Sequence, residues 1–239
     1  MQLFDFSADS PELNLALDEA LLVAAEEGAA GESIRFWSSD RPFVVLGYSR
    51  AAIDDVDVEA CRRDGVPVLR RYSGGGTVLQ GPGCLNYNLV LRMDRSDVFS
   101  TITGSTRAIL ERHAAALTPL LSGEVLLEGE SDLTFGGRKF SGNAQRRLGA
   151  YLGFHGTLLL GFDVSSLAVY LRIPDRQPAY RRRREHREFV VNLPLTQNEV
   201  KNLLASAWGA SEPLVTPPLA LARRLVTERY ARPEWNMKR

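Results

Sequence analysis

Cysteine is scarce in this sequence. Cys61 and Cys84 are the only two in 239 residues, too few for a disulfide framework or a four-ligand structural zinc site. Histidine is nearly as scarce: His113, His155 and His186 stand far apart, so neither a metal-ligand spacing nor a Ser/His/Asp arrangement can be assembled from them. Neither sign of charge is in excess, with 29 Lys plus Arg against 29 Asp plus Glu. That balance predicts no attraction to nucleic acid or to a membrane surface. Long apolar runs are missing too. The stretch Leu15 to Ala25 is interrupted by Asp18 and Glu19 and is too short to span a bilayer. Met1 to Asn14 lacks the basic segment and apolar core of a signal peptide. These absences together predict a cytoplasmic protein, or one from an organelle matrix.

What is present is an ordinary globular composition, 44% hydrophobic and 24% charged, enough to bury a core without staples. Ser10-Pro11 opens a helix whose apolar residues run from Leu13 to Ala24, with Gly28 and Gly31 closing it. Further helices are expected at Val56–Asp64, Ser100–Leu121, Val164–Leu171, Gln197–Trp208 and Pro217–Tyr230. Strands are expected at Ile34–Trp37, Phe43–Gly47, Val66–Arg71, Val78–Leu79, Leu85–Leu91, Val125–Leu127, Leu133–Phe135, Lys139–Gln145 and Tyr151–Leu160. Strands outnumber helices without strict alternation, which argues for an α/β or α+β fold with a mixed sheet flanked by helices. No linker or repeat divides the chain, so residues 1–239 read as one domain.

Three segments carry chemistry. In Arg70-Arg71-Tyr72-Ser73-Gly74-Gly75-Gly76-Thr77-Val78-Leu79, consecutive glycines let backbone N–H groups approach an anion, and Arg71 offers a charge-assisted contact. The same residues also suit a tight hairpin with solvated arginines. It is not a Walker loop, because no Lys-Ser/Thr pair follows the last glycine. In Gly137-Arg138-Lys139-Phe140-Ser141-Gly142-Asn143-Ala144-Gln145, Lys139 stands at a strand start, either snorkelling to solvent or facing a pocket. In Gly153-Phe154-His155-Gly156-Thr157, a histidine among apolar residues is more often structural than catalytic.

In this order, and with Gly83-Cys84-Leu85-Asn86-Tyr87 between the first two, these segments resemble the lipoate–protein ligase A family. The resemblance runs from the Asp18-Glu19 helix to Glu234-Trp235-Asn236. It implies the catalytic-domain fold shared by biotin and lipoate ligases, although the Gly-Arg-Gly-Arg-x-Gly-Arg segment of biotin ligases is absent. It also implies an activity: ATP and lipoate form lipoyl-AMP, with Mg2+ as the family's metal, and the lipoyl group passes to a lysine of an acceptor domain of the E2 or H-protein type. By position, Lys139 is the implied catalytic residue, contacting the acyl carbonyl and phosphate. The implied binding residues are Arg71, Ser73, Gly75, Gly76, Thr77, Val78, Leu79, Asn86, Lys139 itself, Ser141, Gly142 and His155. No residue is assigned to a metal.

The family also holds ATP-independent octanoyl and lipoyl transferases that use a cysteine thioester, drawing on acyl-carrier protein or an acylated protein. Their nucleophile precedes the Gly-Arg-Lys segment, where this chain has Glu128 to Thr134 and no cysteine. That favours the ligase. Cys84 keeps the alternative open, because it follows Gly-Pro-Gly at a position expected to face the pocket, where Arg70, Arg71 or Lys139 would activate a thiol. A small buried residue is the plainer account of it. The chain ends soon after Trp235-Asn236, where the family's catalytic domain ends, so a C-terminal accessory domain is expected to be missing. A separate accessory subunit would then make the adenylate, or this chain would transfer a preformed one. Tyr180 to Glu188 is densely basic and reads as a solvated loop, or as a surface steering an acidic partner.

Overall fold

The computed structural model describes residues 1–174 and 177–238. Its strands are β1 Gln2–Asp5, β2 Ser33–Trp37, β3 Phe43–Leu46, β4 Val68–Arg70, β5 Val78–Gln80, β6 Cys84–Arg92, β7 Val125–Glu128, β8 Asp132–Phe135, β9 Arg138–Leu148, β10 Tyr151–Leu159 and β11 Glu212–Pro213. The helices are α1 Pro11–Glu26, α2 Ala52–Asp55, α3 Val58–Asp64, α4 Ile102–Leu117, α5 Leu167–Tyr170, α6 His186–Phe189, α7 Gln197–Ala207, α8 Leu219–Leu225 and α9 Pro233–Asn236.

Eight strands form one mixed sheet in the order β11-β1-β2-β6-β10-β9-β8-β7, and three form a second in the order β4-β3-β5. Pairing is parallel at β11/β1, β1/β2 and β3/β4, and antiparallel elsewhere. The expected mixed α/β fold is therefore present. Strand β6 lies inside the large sheet between β2 and β10, and every residue but Arg92 is buried, Asn86 and Asn88 included. One face of this sheet packs on α4 and α7 around Ile109, Leu110, Leu204 and Trp208. Helix α1 lies on the opposite face and contacts α8. It is buried nearly all round, as a helix enclosed on both sides must be. Ser10 caps it by accepting from Leu13 N at 3.2 Å.

Several boundaries differ from expectation for local reasons. The helix expected from Val56 begins at Val58, because Asp57 accepts from Ala60 N and caps it, while Val56 bridges to Leu171. The helix expected over Ser100–Leu121 is capped by Thr101 and stops at Leu117, where Pro119 forces a 3-10 turn. Val164–Leu171 is a 3-10 turn and one α turn, and Pro217–Tyr230 is α8 followed by a π turn at Val226–Tyr230. Strands β1 and β11 and helices α2, α6 and α9 were not anticipated. No helix among the described residues is long and apolar enough to cross a membrane.

Candidate active site

A cavity of about 760 Å³ is lined by β6, β9 and β10 of the large sheet, by β5 and the glycine loop, by α1, by Pro174, and by residues of the segment from Gln177 to Val190. The glycine loop lies against β9: a Cβ on Gly75 would stand 3.6 Å from that of Ala144. Gly75 has φ +89°, a left-handed conformation that side chains rarely adopt. Its carbonyl presses on Gly47, where a Cβ would meet the Gly75 oxygen at 2.0 Å. The loop is thus seated on the end of β3 by a contact that tolerates no side chain.

Arg71 holds the loop from behind. Its guanidinium donates to Gly74 O at 3.1 and 2.5 Å, to Gly76 O at 2.8 Å and to Val45 O at 3.4 Å. Arg71 is buried and forms no ion pair among the described residues. Burial pulls its pKa down to about 10. Its positive charge therefore lies at the cavity wall uncompensated by a carboxylate. The hydrogen-bonding capacity expected for a ligand is largely spent on the loop itself.

Lys139 is the second residue of β9, beside a β-bulge where the β8 register shifts between Leu133 and Thr134. The bulge sends Phe140 into the core while Lys139 faces the cavity, a use of bulges common beside functional sites. Lys139 Nζ lies 2.7 Å from Asp132 Oδ1, and Tyr180 O–H donates to Asp132 Oδ2 at 2.6 Å. The ammonium is thereby fixed in direction. Burial and the Asp132 charge raise the Tyr180 pKa, so the phenol remains a donor.

Of the other expected residues, Arg71, Gly75, Gly76, Thr77, Val78, Leu79, Asn86, Ser141, Gly142 and His155 all line the cavity with Lys139. Ser73 does not. It is fully buried behind the loop, sharing a hydrogen bond with His155 Nε2. Burial, followed by the Arg71 charge, pushes the His155 pKa down to about 3, which leaves a neutral ring with a positioning role. Thr77 Oγ1 donates to Asp55 Oδ2, which also accepts from Arg50 Nε at 2.6 Å. Burial acts against this carboxylate, but the bonds from Arg50 and Thr77 prevail and lower its pKa. Gln80 Nε2 donates to Thr157 Oγ1 at 3.0 Å, and Thr157 donates to Asn86 Oδ1 at 2.6 Å. Deeper in, Leu15, Trp37 and Val45 give an apolar lining beside Asp18. Asp18 is held by Arg35 at 2.7 Å and Trp37 at 3.1 Å, with burial raising its pKa.

Two expectations need correction. Cys84 does not face the cavity: it is fully buried in an apolar cluster with Val44, Leu46 and Phe162. Burial pushes its thiol up to about 12, the reverse of activation. Cys61 is likewise buried on α3, and its thiol is pushed up to about 11. The basic run is also not uniformly solvated. Arg182 and Arg183 are exposed, but Arg181 and His186 are buried and line the cavity. Sequence reasoning missed both of these, together with the role of Tyr180. Nothing in a run of arginines marks which one turns inward.

Among the described residues, no group of three or more His, Cys, Asp or Glu stands together to hold a metal. Asp132 and Asp55, the carboxylates nearest the cavity's cations, are already paired. The donor set does not fit a resident magnesium site.

Residues 10–206 match the family model of the lipoyl protein ligase A/B catalytic domain. The chain is 28% identical to lipoate-protein ligase A subunit 1 of Thermoplasma acidophilum, over 94% of this chain and 91% of that protein. It is also 28% identical to the octanoyltransferase LipM of Brevibacillus brevis, over 97% and 96%. A lipoate-protein ligase A solved with ATP superposes with TM-score 0.82 and 26% identity, over 99% of this chain and 98% of that one. A T. acidophilum protein solved with bound lipoic acid gives 0.81 and 25%, over 99% and 98%. The chain belongs to the lipoyl protein ligase A/B catalytic-domain family.

Proposed function

We propose that this chain is the catalytic part of an ATP-dependent lipoate–protein ligase. The observation that carries the reading is the make-up of the cavity. It gathers Lys139, the glycine loop and the unpaired charge of Arg71, yet neither cysteine lines it and both thiols are held protonated by burial. A thioester route needs a thiolate at the cavity wall.

In the first step a carboxylate oxygen of lipoate attacks the α-phosphorus of ATP. The bond to the bridging oxygen breaks and pyrophosphate leaves with its electron pair. In the second step the neutral amine of an acceptor lysine attacks the acyl carbonyl. AMP departs, and the nitrogen loses a proton to solvent. Both steps accumulate negative charge on oxygen, which a fixed ammonium at Lys139 and oriented N–H groups of the glycine loop stabilise. Magnesium enters this scheme only on the nucleotide phosphates, as is usual for an ion that dehydrates reluctantly. The acceptor is a lipoyl-type protein domain. The likeness to a subunit 1 and to a bi-partite T. acidophilum ligase described with its E2 lipoyl domain points to a second subunit that assists activation.

The test is a paired acylation of a lipoyl domain, read by intact mass. One arm holds lipoate, ATP and magnesium; the other holds octanoyl acyl-carrier protein without ATP. Mass gain in the ATP arm alone, or transfer from supplied lipoyl adenylate, supports the ligase. Gain in the carrier-protein arm alone refutes it, in favour of the activity named for the LipM relatives.

A further inference from the structure

The segment that closes the cavity carries two buried polar groups without partners. Arg181 is 4% exposed. Its Nε donates to Arg184 O at 3.0 Å and its guanidinium lies 4.7 Å over the Phe189 ring. Among the described residues its Nη2 has no hydrogen-bond partner and the side chain forms no salt bridge, although the Glu185 charge lies near enough to favour the guanidinium. His186, 8% exposed, has an unpartnered Nε2. Both line the cavity.

This segment is sewn to the hairpin that carries Lys139. Val191 N donates to Lys139 O at 2.9 Å, Arg184 Nη2 donates to Gly137 O at 3.1 Å, and Tyr180 reaches Asp132. Arg181 and His186 therefore border the same end of the cavity as Lys139. A buried guanidinium nitrogen left without a partner is costly unless a ligand completes it. Arginine's planar fork matches phosphate oxygens, and an anion bound there is better served than by a lysine already paired with aspartate.

We propose that Arg181, assisted by His186, forms a subsite for pyrophosphate, the leaving group of the activation step. The assignment rests on the ATP-dependent reading above. Lys139 serves the reacting carbonyl and α-phosphate, while Arg181 Nη2 takes the charge that develops on the departing β- and γ-phosphates; His186, whose ring already donates to the Arg172 backbone, joins it by taking up a proton at Nε2 together with the anion. The apolar bed of Phe189 keeps water from that guanidinium and strengthens its pull.

Calorimetric titration of the full chain with magnesium pyrophosphate tests this, beside a parallel arm with 4′-phosphopantetheine, the phosphate of an acyl-carrier donor. Wild-type protein is expected to bind pyrophosphate more tightly. Arg181→Met should weaken that binding at least tenfold, His186→Ala about threefold, and Arg181→Lys less than Arg181→Met. The stem of Met preserves contact with Phe189, so the ligand-free melting temperature of Arg181→Met should not fall, because an unpartnered buried charge has been removed. The melting-temperature rise that pyrophosphate gives the wild type should disappear in Arg181→Met. Equal pyrophosphate affinity in wild type and Arg181→Met overturns the proposal, as does tighter binding of phosphopantetheine. Adenylate formation from lipoate and ATP is measured separately. Its absence in wild type, with or without accessory subunit, counts against the ligase reading, whereas adenylate formation with Arg181-independent pyrophosphate binding overturns only this subsite.

Discussion

Replacing Arg70 by Met should detach the C-terminal segment from the glycine-loop scaffold. Arg70 is fully buried at the end of β4. Its side chain donates to Gly47 O at 2.9 Å, Tyr48 O at 3.1 Å, Arg50 O at 2.6 Å, Trp235 O at 3.0 Å, Asn236 O at 3.0 Å and Lys238 O at 2.7 Å. One guanidinium thus staples the turn after β3 to α9 and the residues beyond it. Charge-assisted bonds taken singly contribute about 1.5–3 kcal/mol each. A simple sum over the six bonds, about 9–18 kcal/mol, is as large as the whole stability of an ordinary domain, about 5–15 kcal/mol, so the bonds cannot be additive. Arg70→Met leaves neutral carbonyls behind, each costing about 1–3 kcal/mol where water cannot reach it, and with only some of the six so enclosed the loss is about 4 kcal/mol. For a chain of this size each kcal/mol lowers the melting temperature by about 2–4 °C. A fall of roughly 8–16 °C is therefore expected from about 4 kcal/mol. Calorimetry measures it, and limited proteolysis should show new cleavage near residues 233–238. A fall of less than about 3 °C with unchanged proteolysis would refute the reasoning.

Lys139→Ala should cut acylation by about 10²–10³-fold, the scale of losing one oriented charge-stabilising group. Its melting temperature should move little, because Tyr180 still donates to Asp132; near-wild-type turnover would remove Lys139 from the chemistry. Cys84→Ser should leave turnover per folded molecule unaltered while costing about 1–3 kcal/mol, since a hydroxyl enters an apolar cluster. Abolished acyl transfer with unaltered stability would restore the thiol as a nucleophile. Acid should destabilise the protein through His113, which is fully buried and accepts from Trp208 Nε1 at 2.8 Å. Burial, then Arg112, lowers its pKa from 6.5 to about 3. The unfolded imidazole takes up a proton below pH 6.5 and the folded one does not until about pH 3. Stability is therefore lost as pH falls across that window, by about 2 kcal/mol at pH 5. His113→Gln should flatten this part of the profile in urea melts at pH 8 and pH 5; an unchanged slope would refute the assignment.

Elements with a local signature were legible in the sequence. Ser10-Pro11 marks the start of α1 because its cap is made within one turn, and Leu85–Leu91 reads as a strand because its apolar residues stand in one short run. Elements made by partners far away were not. Strand β1 has four residues and no alternation, and it exists through parallel pairing with β2 and β11. Helix α9 is one turn held largely by Arg70, more than 160 positions earlier in the chain. The same division runs through the site. Motif residues from the glycine loop, β6, β9 and β10 converge on one cavity, whereas Ser73 fails to reach it because Arg71 turns the loop so that Ser73 lies beneath it against His155. Cys84 was misplaced because its neighbours in sequence are loop-like, while its neighbours in space are Val44, Leu46 and Phe162.

The pairing of charges around the cavity says more than any single residue. Lys139, the cation assigned to the reacting centre, is oriented by a carboxylate. Among the described residues Arg71, buried, has none, and Arg181, also buried, forms no salt bridge, with Glu185 only near enough to favour its charge. In a protein selected for stability alone, buried guanidiniums without acidic partners are replaced readily by apolar groups. Arg71 spends its donors on the glycine loop and offers an occupant only its charge, whereas Arg181 Nη2 also offers a free donor. The deeper lining of Leu15, Trp37 and Val45 asks for the opposite, an uncharged apolar chain. A ligand with a long apolar tail and an anionic head satisfies both ends at once. A carboxylate alone brings less charge than a phosphate and leaves Arg181 Nη2 unmet, so plain fatty acids should bind far more weakly than their acyl phosphates or adenylates.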